Sequence, residues 1–201
     1  CHHLSDLLPV WIALDAQADM VSRSHGRRSA PVRTLIDSAA SGLALAADEI
    51  VAALALPPRD PSSFVAAAYK HAIRRTDSMA LVNAALSAEI DPTQRLKNAC
   101  MALGGLGAPG VRARRTERAL EGLDVSKGDG LPERLEAVAH LLRREVDELN
   151  VRELPDVMRR SQREVAGTFL RRFLHAAAEN RNVGAVEGWP PPERTASRQT
   201  F

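Results

Sequence analysis

Aromatic residues, cysteines and long apolar runs are scarce in this sequence, and each scarcity excludes a class of protein. Aromatic residues are 3% of the 201 residues, so a core has to be built mostly from leucine, alanine and valine. Only Cys1 and Cys100 are present, without CxxC spacing, which excludes a disulfide framework and a zinc ribbon. No apolar run reaches the roughly 18 residues of a membrane span. We therefore expect a soluble chain in a reducing compartment, the cytoplasm or an organellar matrix.

Alanine and leucine dominate the composition, with 33 and 24 residues against five isoleucines. This balance favours helix and is poor in the β-branched residues of sheets. We predict an all-α fold of antiparallel helical hairpins, arranged as a helical bundle or a short α-solenoid-like array of about eight to nine helices. The predicted organisation is a single helical domain over residues 1–180 and an extended Trp/Pro-containing tail over residues 181–201. Because the first residue is not methionine, we expect a processed chain or a segment of a longer one.

Apolar residues at helical spacing predict the individual helices in the first part of the chain. One helix is predicted over residues 9–21 and a longer one over residues 31–56, separated by a polar, basic loop. Asp60-Pro61 and Asp91-Pro92 each have the pattern of an Asp N-cap with Pro at the first helical position. The pattern predicts two helical hairpins in tandem. Their offset of 31 residues hints at a repeat, so an α-solenoid remains an alternative to a helical bundle.

The remaining segments differ in how clear their periodicity is. The stripe from Leu131 to Leu149 is the cleanest amphipathic helix of the chain. A shorter helix is predicted after Pro155, and Gly167 is predicted to open a last one. The tail carries a Trp-Pro-Pro-Pro segment that we expect to be ordered only against a partner. Its predicted partner-binding residues are Trp189, Pro190, Pro191 and Pro192.

Gly105, Gly107 and Gly110 spell GxGxxG, the motif that lets a backbone approach a pyrophosphate in dinucleotide-binding domains. That motif follows a buried parallel strand, whereas the preceding residues here are predicted to be helical. We interpret the glycines as a helix C-cap and a loop. The sequence contains neither GxSxG nor HExxH, and its paired acids fall on predicted outer faces. No catalytic residue, cofactor, metal site or small-molecule substrate is predicted.

Two arginine clusters are the strongest functional signal in the sequence. The net charge of +2 is too small for binding nucleic acid over the whole surface, so the clusters are judged locally. Arginine fits phosphate or carboxylate in bidentate geometry. The predicted anion- or RNA-binding residues are Arg112, Arg114, Arg115, Arg118, Arg159, Arg160, Arg163, Arg171 and Arg172. The alternative is a solvated helix face whose arginines pair with neighbouring acids.

These observations predict a non-enzymatic helical interaction or scaffold subunit of a larger assembly. The assembly would be a ribonucleoprotein such as a ribosome. The arginine-rich helix faces would contact RNA phosphates or acidic protein there. The alternative function is a protein-only adaptor or structural subunit without contact to nucleic acid. Other protein subunits are the first predicted partners, and RNA is the second.

Overall fold

The architecture of the chain is mixed α/β, with two antiparallel sheets and five helices among the described residues. The computed structural model describes residues 5–37, 45–74, 78–107, 110–128 and 130–179. The prediction of an all-α fold, as a helical bundle or an α-solenoid, is therefore wrong. The predicted tail, with Trp189, Pro190, Pro191 and Pro192, lies outside the described residues, and the division at residue 180 stays a prediction.

The first part of the chain forms a three-stranded sheet with two short helices. Its elements are α1 (Leu8–Ala13), β1 (Gln17–Ser22), β2 (Gly26–Pro31), α2 (Val32–Asp37) and β3 (Glu49–Ala55). The strands pair antiparallel in the order β2-β1-β3. The predicted continuous helices over residues 9–21 and 31–56 are thus wrong, since the described part of each contains a short helix and a strand.

The second part forms a four-stranded antiparallel sheet covered by helices on one face. Its elements are β4 (Phe64–Ala72), β5 (Ala80–Ile90), β6 (Leu96–Gly104), β7 (Val111–Arg112), α3 (Arg114–Leu120), α4 (Leu131–Leu149) and α5 (Asp156–Ala178). The strands lie in chain order. Helix α4 has the predicted bounds. The predicted break at Gly167 is wrong, because that glycine is buried within the continuous helix α5.

Asp60 and Asp91, predicted as helix N-caps, instead begin turns that lead into strands. The Asp60 carboxylate accepts hydrogen bonds from the amide and hydroxyl of Ser62 at 2.9 and 2.7 Å. Asp91 repeats this arrangement with Thr93 at 2.8 and 2.7 Å. Strand β5 is buried on both faces and eight of its eleven residues are apolar, so no apolar period distinguishes a helix from a strand there. The predicted tandem hairpins are therefore wrong.

Hydrophobic clusters lie on both faces of the four-stranded sheet. The larger cluster packs alternate residues of β4, β5 and β6 against α3, α4 and α5, with Leu86, Met101 and Phe173 among its fully buried members. The second joins α1, α2 and the three-stranded sheet to Ala102 on β6. Helix α1 thus lies between the two sheets, against β5 and β6. None of the helices in the described ranges has the length and apolar composition that crossing a bilayer requires.

Candidate functional site at the junction of the two sheets

One row of cross-strand partners joins the four-stranded sheet to the segment that precedes α1. Lys70 on β4 lies opposite Asn83 on β5, and Asn83 lies opposite Gly104 on β6. The Lys70 ammonium donates to the Asp6 carboxylate at 2.6 Å, and the Asn83 amide donates to the Ser5 carbonyl oxygen at 3.0 Å. Two neighbouring strands therefore hold two consecutive residues. We call Asp6, Lys70 and Asn83 the junction site.

The charged pair of the junction site is open to solvent although its position is fixed. The Lys70 and Asp6 side chains are 40% and 46% exposed. An exposed pair of this kind contributes about 0–1 kcal/mol to stability. The pair is therefore a weak stabilising element, and its two charges are accessible to a ligand.

The surroundings of the pair combine cationic and apolar surface. A concave region of about 430 Å³ is lined by Lys70, His71, Ala72, Ile73 and Arg74 at the end of β4. Ile73, together with Leu7 and Met79, is among the exposed large apolar residues of the chain. Exposed apolar surface beside convergent polar groups is typical of ligand-binding sites.

Two of the four arginines in the first predicted cluster are engaged by acids of the chain itself. Arg112 donates to both carboxylate oxygens of Glu117 at 2.7 and 2.8 Å, and Arg115 donates to Glu148. Arg114 and Arg118 are exposed. The first turn of α3, where an anion was expected, holds the Glu145 carboxylate: it accepts from the amides of Arg115 and Thr116, both at 2.8 Å.

The second predicted cluster lies along α5, and part of it pairs with α4. Arg163 donates to Asp147 at 3.1 Å and Arg171 donates to Glu136 at 2.8 Å. The Arg172 guanidinium lies 5.3 Å from the centre of the Tyr69 ring. Arg159 is half-buried and Arg160 is exposed. The two clusters lie on different helices, and anion binding by either one stays a prediction.

The junction site was not predicted from the sequence. Asp6 and Lys70 are 64 positions apart, and Asn83 falls in an alanine-rich run that was interpreted as helix. One usable signal was present: Asn83 is a polar residue inside a long apolar segment. Buried polar side chains in such segments need a specific partner.

Cys100 lies in a second crevice, of about 370 Å³, between the end of α1 and the sheet. The arginines that line this crevice are paired with acids, Arg59 with Glu89 at 3.7 Å for example, and the described residues leave no orphaned polar atom in it. Burial, reinforced by the Glu117 carboxylate, raises the pKa of the Cys100 thiol to about 12. The thiol is therefore protonated and unreactive at neutral pH.

Alkylation of Cys100 is expected to be slow in the folded chain. In a Cys1→Ser background at pH 8, iodoacetamide should modify the folded protein at least about a hundredfold more slowly than the unfolded protein, because the raised pKa leaves little of the reactive thiolate. A mass-spectrometric time course with and without denaturant measures this. Because the folded pKa is raised, stability should also fall as the pH rises from about 9 towards 12. Equal rates would contradict the assignment.

Comparison with known proteins relates this geometry to one group of enzymes. The family model described as the CO dehydrogenase flavoprotein C-terminal domain matches residues 67–177. Xanthine dehydrogenase of Emericella nidulans is 29% identical over 119 residues, and that of Oryza sativa subsp. japonica is 31% identical over 122 residues. Each alignment covers 59% of this chain and 9% of the relative.

Solved structures share the fold over most of the chain. Carbon monoxide dehydrogenase from Hydrogenophaga pseudoflava has a TM-score of 0.70 at 20% identity, covering 89% of this chain and 58% of that chain. Quinoline 2-oxidoreductase from Pseudomonas putida 86 has a TM-score of 0.67 at 20% identity, covering 88% and 57%. The chain thus spans less than two thirds of the proteins that it matches.

These findings correct the predicted function. A non-enzymatic scaffold of a ribonucleoprotein and a protein-only adaptor are both wrong, because the matching family model is a domain of CO dehydrogenase flavoproteins and the sequence relatives are xanthine dehydrogenases. The prediction that the chain has no part in an enzyme is wrong for the same reason. Since the match covers more than half of the 201 residues, the chain belongs to the CO dehydrogenase flavoprotein C-terminal domain family.

Proposed function

We propose that this chain is part of the flavin-binding portion of an oxidoreductase, and that the junction site forms one wall of the flavin site. The observation that carries the proposal is the exposed Asp6–Lys70 ion pair, which joins the region matched by the family model to the segment before it. Lys70 lies inside residues 67–177, which the family model matches, and Asp6 lies outside them. The pair therefore connects the matched domain to the segment that precedes it.

The chemistry of the junction site fits a flavin. The pyrimidine edge of an isoalloxazine ring has an N–H donor between carbonyl acceptors. Asp6 supplies acceptors only and Lys70 supplies donors only, so the pair complements that edge. The exposed side chains of Leu7 and Ile73 offer apolar surface for the flat ring, and Arg74 adds positive charge for a phosphate.

The contribution of the chain is binding and orientation. A bound flavin supplies electron transfer through its isoalloxazine ring. Asp6 and Lys70 would fix the orientation of the ring by charge-assisted hydrogen bonds, which are stronger than neutral ones. Ile73 in the lining of the concave region, and Leu7 next to Asp6, would exclude water from part of the ring.

Strand β3 supports the view that this portion works inside a larger protein. Ile50 is 66% exposed, and Val51 and Leu54 are also exposed. The strand is an edge of its sheet among the described residues, and residues 50–56 carry no charge. Soluble proteins protect such edges with charges, bulges or a covering element. A register shift interrupts the β1–β3 pairing between Asp19 and Met20, but the apolar side chains of β3 stay exposed beside it. We infer that another part of a flavoprotein, from the region of the solved chains that this chain does not span, packs there.

Removing either charge of the pair is expected to weaken flavin binding. In the full chain, purified with any polypeptides that accompany it, Asp6→Asn and Lys70→Met should each raise the Kd for FAD by about tenfold, which corresponds to one charge-assisted hydrogen bond. Quenching of FAD fluorescence measures the Kd.

Lys97→Met is the matched control, because Lys97 on strand β6 is also an exposed lysine in an ion pair, with Asp91 at 3.1 Å. It should leave the Kd within about twofold. The proposal is wrong if the wild-type chain does not bind FAD, or if all three variants bind it equally well.

A further inference from the structure

Asn83 is a buried amide in an otherwise apolar stretch of β5. It is 3% exposed, and its amide nitrogen donates to the Ser5 carbonyl oxygen at 3.0 Å. Its side-chain oxygen has no hydrogen-bond partner among the described residues. A buried acceptor without a partner costs about 1–3 kcal/mol. An apolar residue of similar shape would avoid that cost, so stability alone does not account for asparagine here.

The neighbouring strand leaves room for this side chain. A Cβ atom at Gly104, the partner of Asn83 on β6, would lie 2.2 Å from the Asn83 side-chain oxygen. A side chain at position 104 would therefore displace the amide. Across the sheet, this row therefore consists of the Lys70 cation, the Asn83 amide and Gly104, whose missing side chain leaves the room that the amide occupies.

We propose that Asn83 is a positioning residue of the junction site, a statement that rests on the proposed function. The amide fixes the Ser5 carbonyl, and the Ser5 hydroxyl accepts a hydrogen bond from the Leu8 amide at 3.2 Å where α1 begins. Asp6 lies between these two fixed points. The Asp6 carboxylate is thereby held beside Lys70. Asn83 fixes its orientation without touching the ligand itself.

Ser87 is the comparison residue that distinguishes the positioning of Asp6 from the attachment of α1 to the sheet. It lies four residues after Asn83 on β5, so both side chains lie on the same face of the strand. Ser87 is also buried, and its hydroxyl donates to the Ala13 carbonyl oxygen at 2.5 Å, at the opposite end of α1. Both residues attach α1 to the sheet, but Asn83 alone acts next to Asp6.

The test compares Asn83→Leu with Ser87→Ala in the full chain, with FAD as the probe. Asn83→Leu keeps the approximate shape and removes the donor. It should raise the Kd for FAD by about tenfold, the value of one lost hydrogen bond, while Ser87→Ala stays within about twofold. The double variant Asn83→Leu/Asp6→Asn should bind no more weakly than Asp6→Asn, because both changes remove the same contact.

Hydrogen exchange provides a readout that does not depend on flavin. Amides of residues 6–8 should exchange at least about fivefold faster in Asn83→Leu than in Ser87→Ala, while the circular dichroism of both variants stays like that of the wild type. Unchanged exchange, wild-type FAD affinity in Asn83→Leu, or full additivity in the double variant would each overturn the proposal. If the wild type does not bind FAD, the proposed function fails, and exchange alone decides whether Asn83 holds Asp6.

Discussion

Replacing Glu145 by glutamine is expected to lower the free energy of unfolding by about 3 kcal/mol, because it breaks a buried, fully engaged carboxylate. Glu145 on α4 is 4% exposed. It accepts the amide hydrogens of Arg115 and Thr116 and the Thr116 hydroxyl at 2.7 to 2.8 Å. Glutamine would point an N–H₂ group at one of these donors. The first turn of α3 would then lose the anion that stabilises its free amides.

Chemical denaturation monitored by circular dichroism measures this loss. Glu133→Gln is the matched control, because Glu133 is exposed in the first turn of the same helix and should change stability by about 0.5 kcal/mol or less. Equal effects of the two substitutions would show that Glu145 does not hold α3. Thr116→Val should give part of the Glu145 effect, since it removes one of the three hydrogen bonds.

Gly105→Ala is expected to destabilise the chain by about 3 kcal/mol, because the position combines backbone strain with a steric clash. Gly105 has φ of +88°, and a Cβ atom there would lie 2.6 Å from the backbone oxygen of Leu81. The Gly105 carbonyl also accepts hydrogen bonds from Arg152 at 2.9 Å and from the buried Gln162 at 3.1 Å. Moving this backbone would disturb both contacts with the α4–α5 loop and α5.

Gly128→Ala is the matched control for that substitution. Gly128 has open space around its Cβ position and no strained φ, so alanine there should change stability by about 0.5 kcal/mol or less. Thermal unfolding of the two variants provides the comparison. An equal melting temperature for both would show that the Gly105 turn tolerates a side chain.

The glycine motif illustrates why context was harder to predict than local chemistry. The interpretation of Gly105, Gly107 and Gly110 as a loop is consistent with their positive φ values. The helix expected before them is instead strand β6, which runs antiparallel to β5. Alanine has a high helix propensity, but tertiary packing overrides propensity where small side chains let both faces of a sheet be covered closely.

Helix α4 could be predicted because its two faces differ. Its apolar stripe from Leu131 to Leu149 stands beside a charged outer face, which gives an unambiguous period. Glu145 follows Leu142 by three positions and so lies on the buried face. A carboxylate on the apolar face of α4 indicated that Glu145 binds hydrogen-bond donors inside the protein. Strand β5 offered no such contrast, because both of its faces are buried.

The junction site depends on contacts that local patterns do not encode. Lys70 and Asn83 are neighbours only through the register of two strands, and Asp6 joins them from another layer. Such a site can be predicted only after the pairing and register of the strands are known. The arginine clusters were visible because they are local in sequence, but Arg112, Arg115, Arg163 and Arg171 each have an acid of the same chain as a partner.

The uncharged edge at β3 has a consequence for the order of assembly. Two copies that met through Ile50 and Leu54 would extend one sheet into the other, which is how edge pairing starts aggregation. The neighbour proposed to cover β3 would have to reach this edge before a second copy does. A chain in which this edge stays uncovered would then be the species most prone to precipitate.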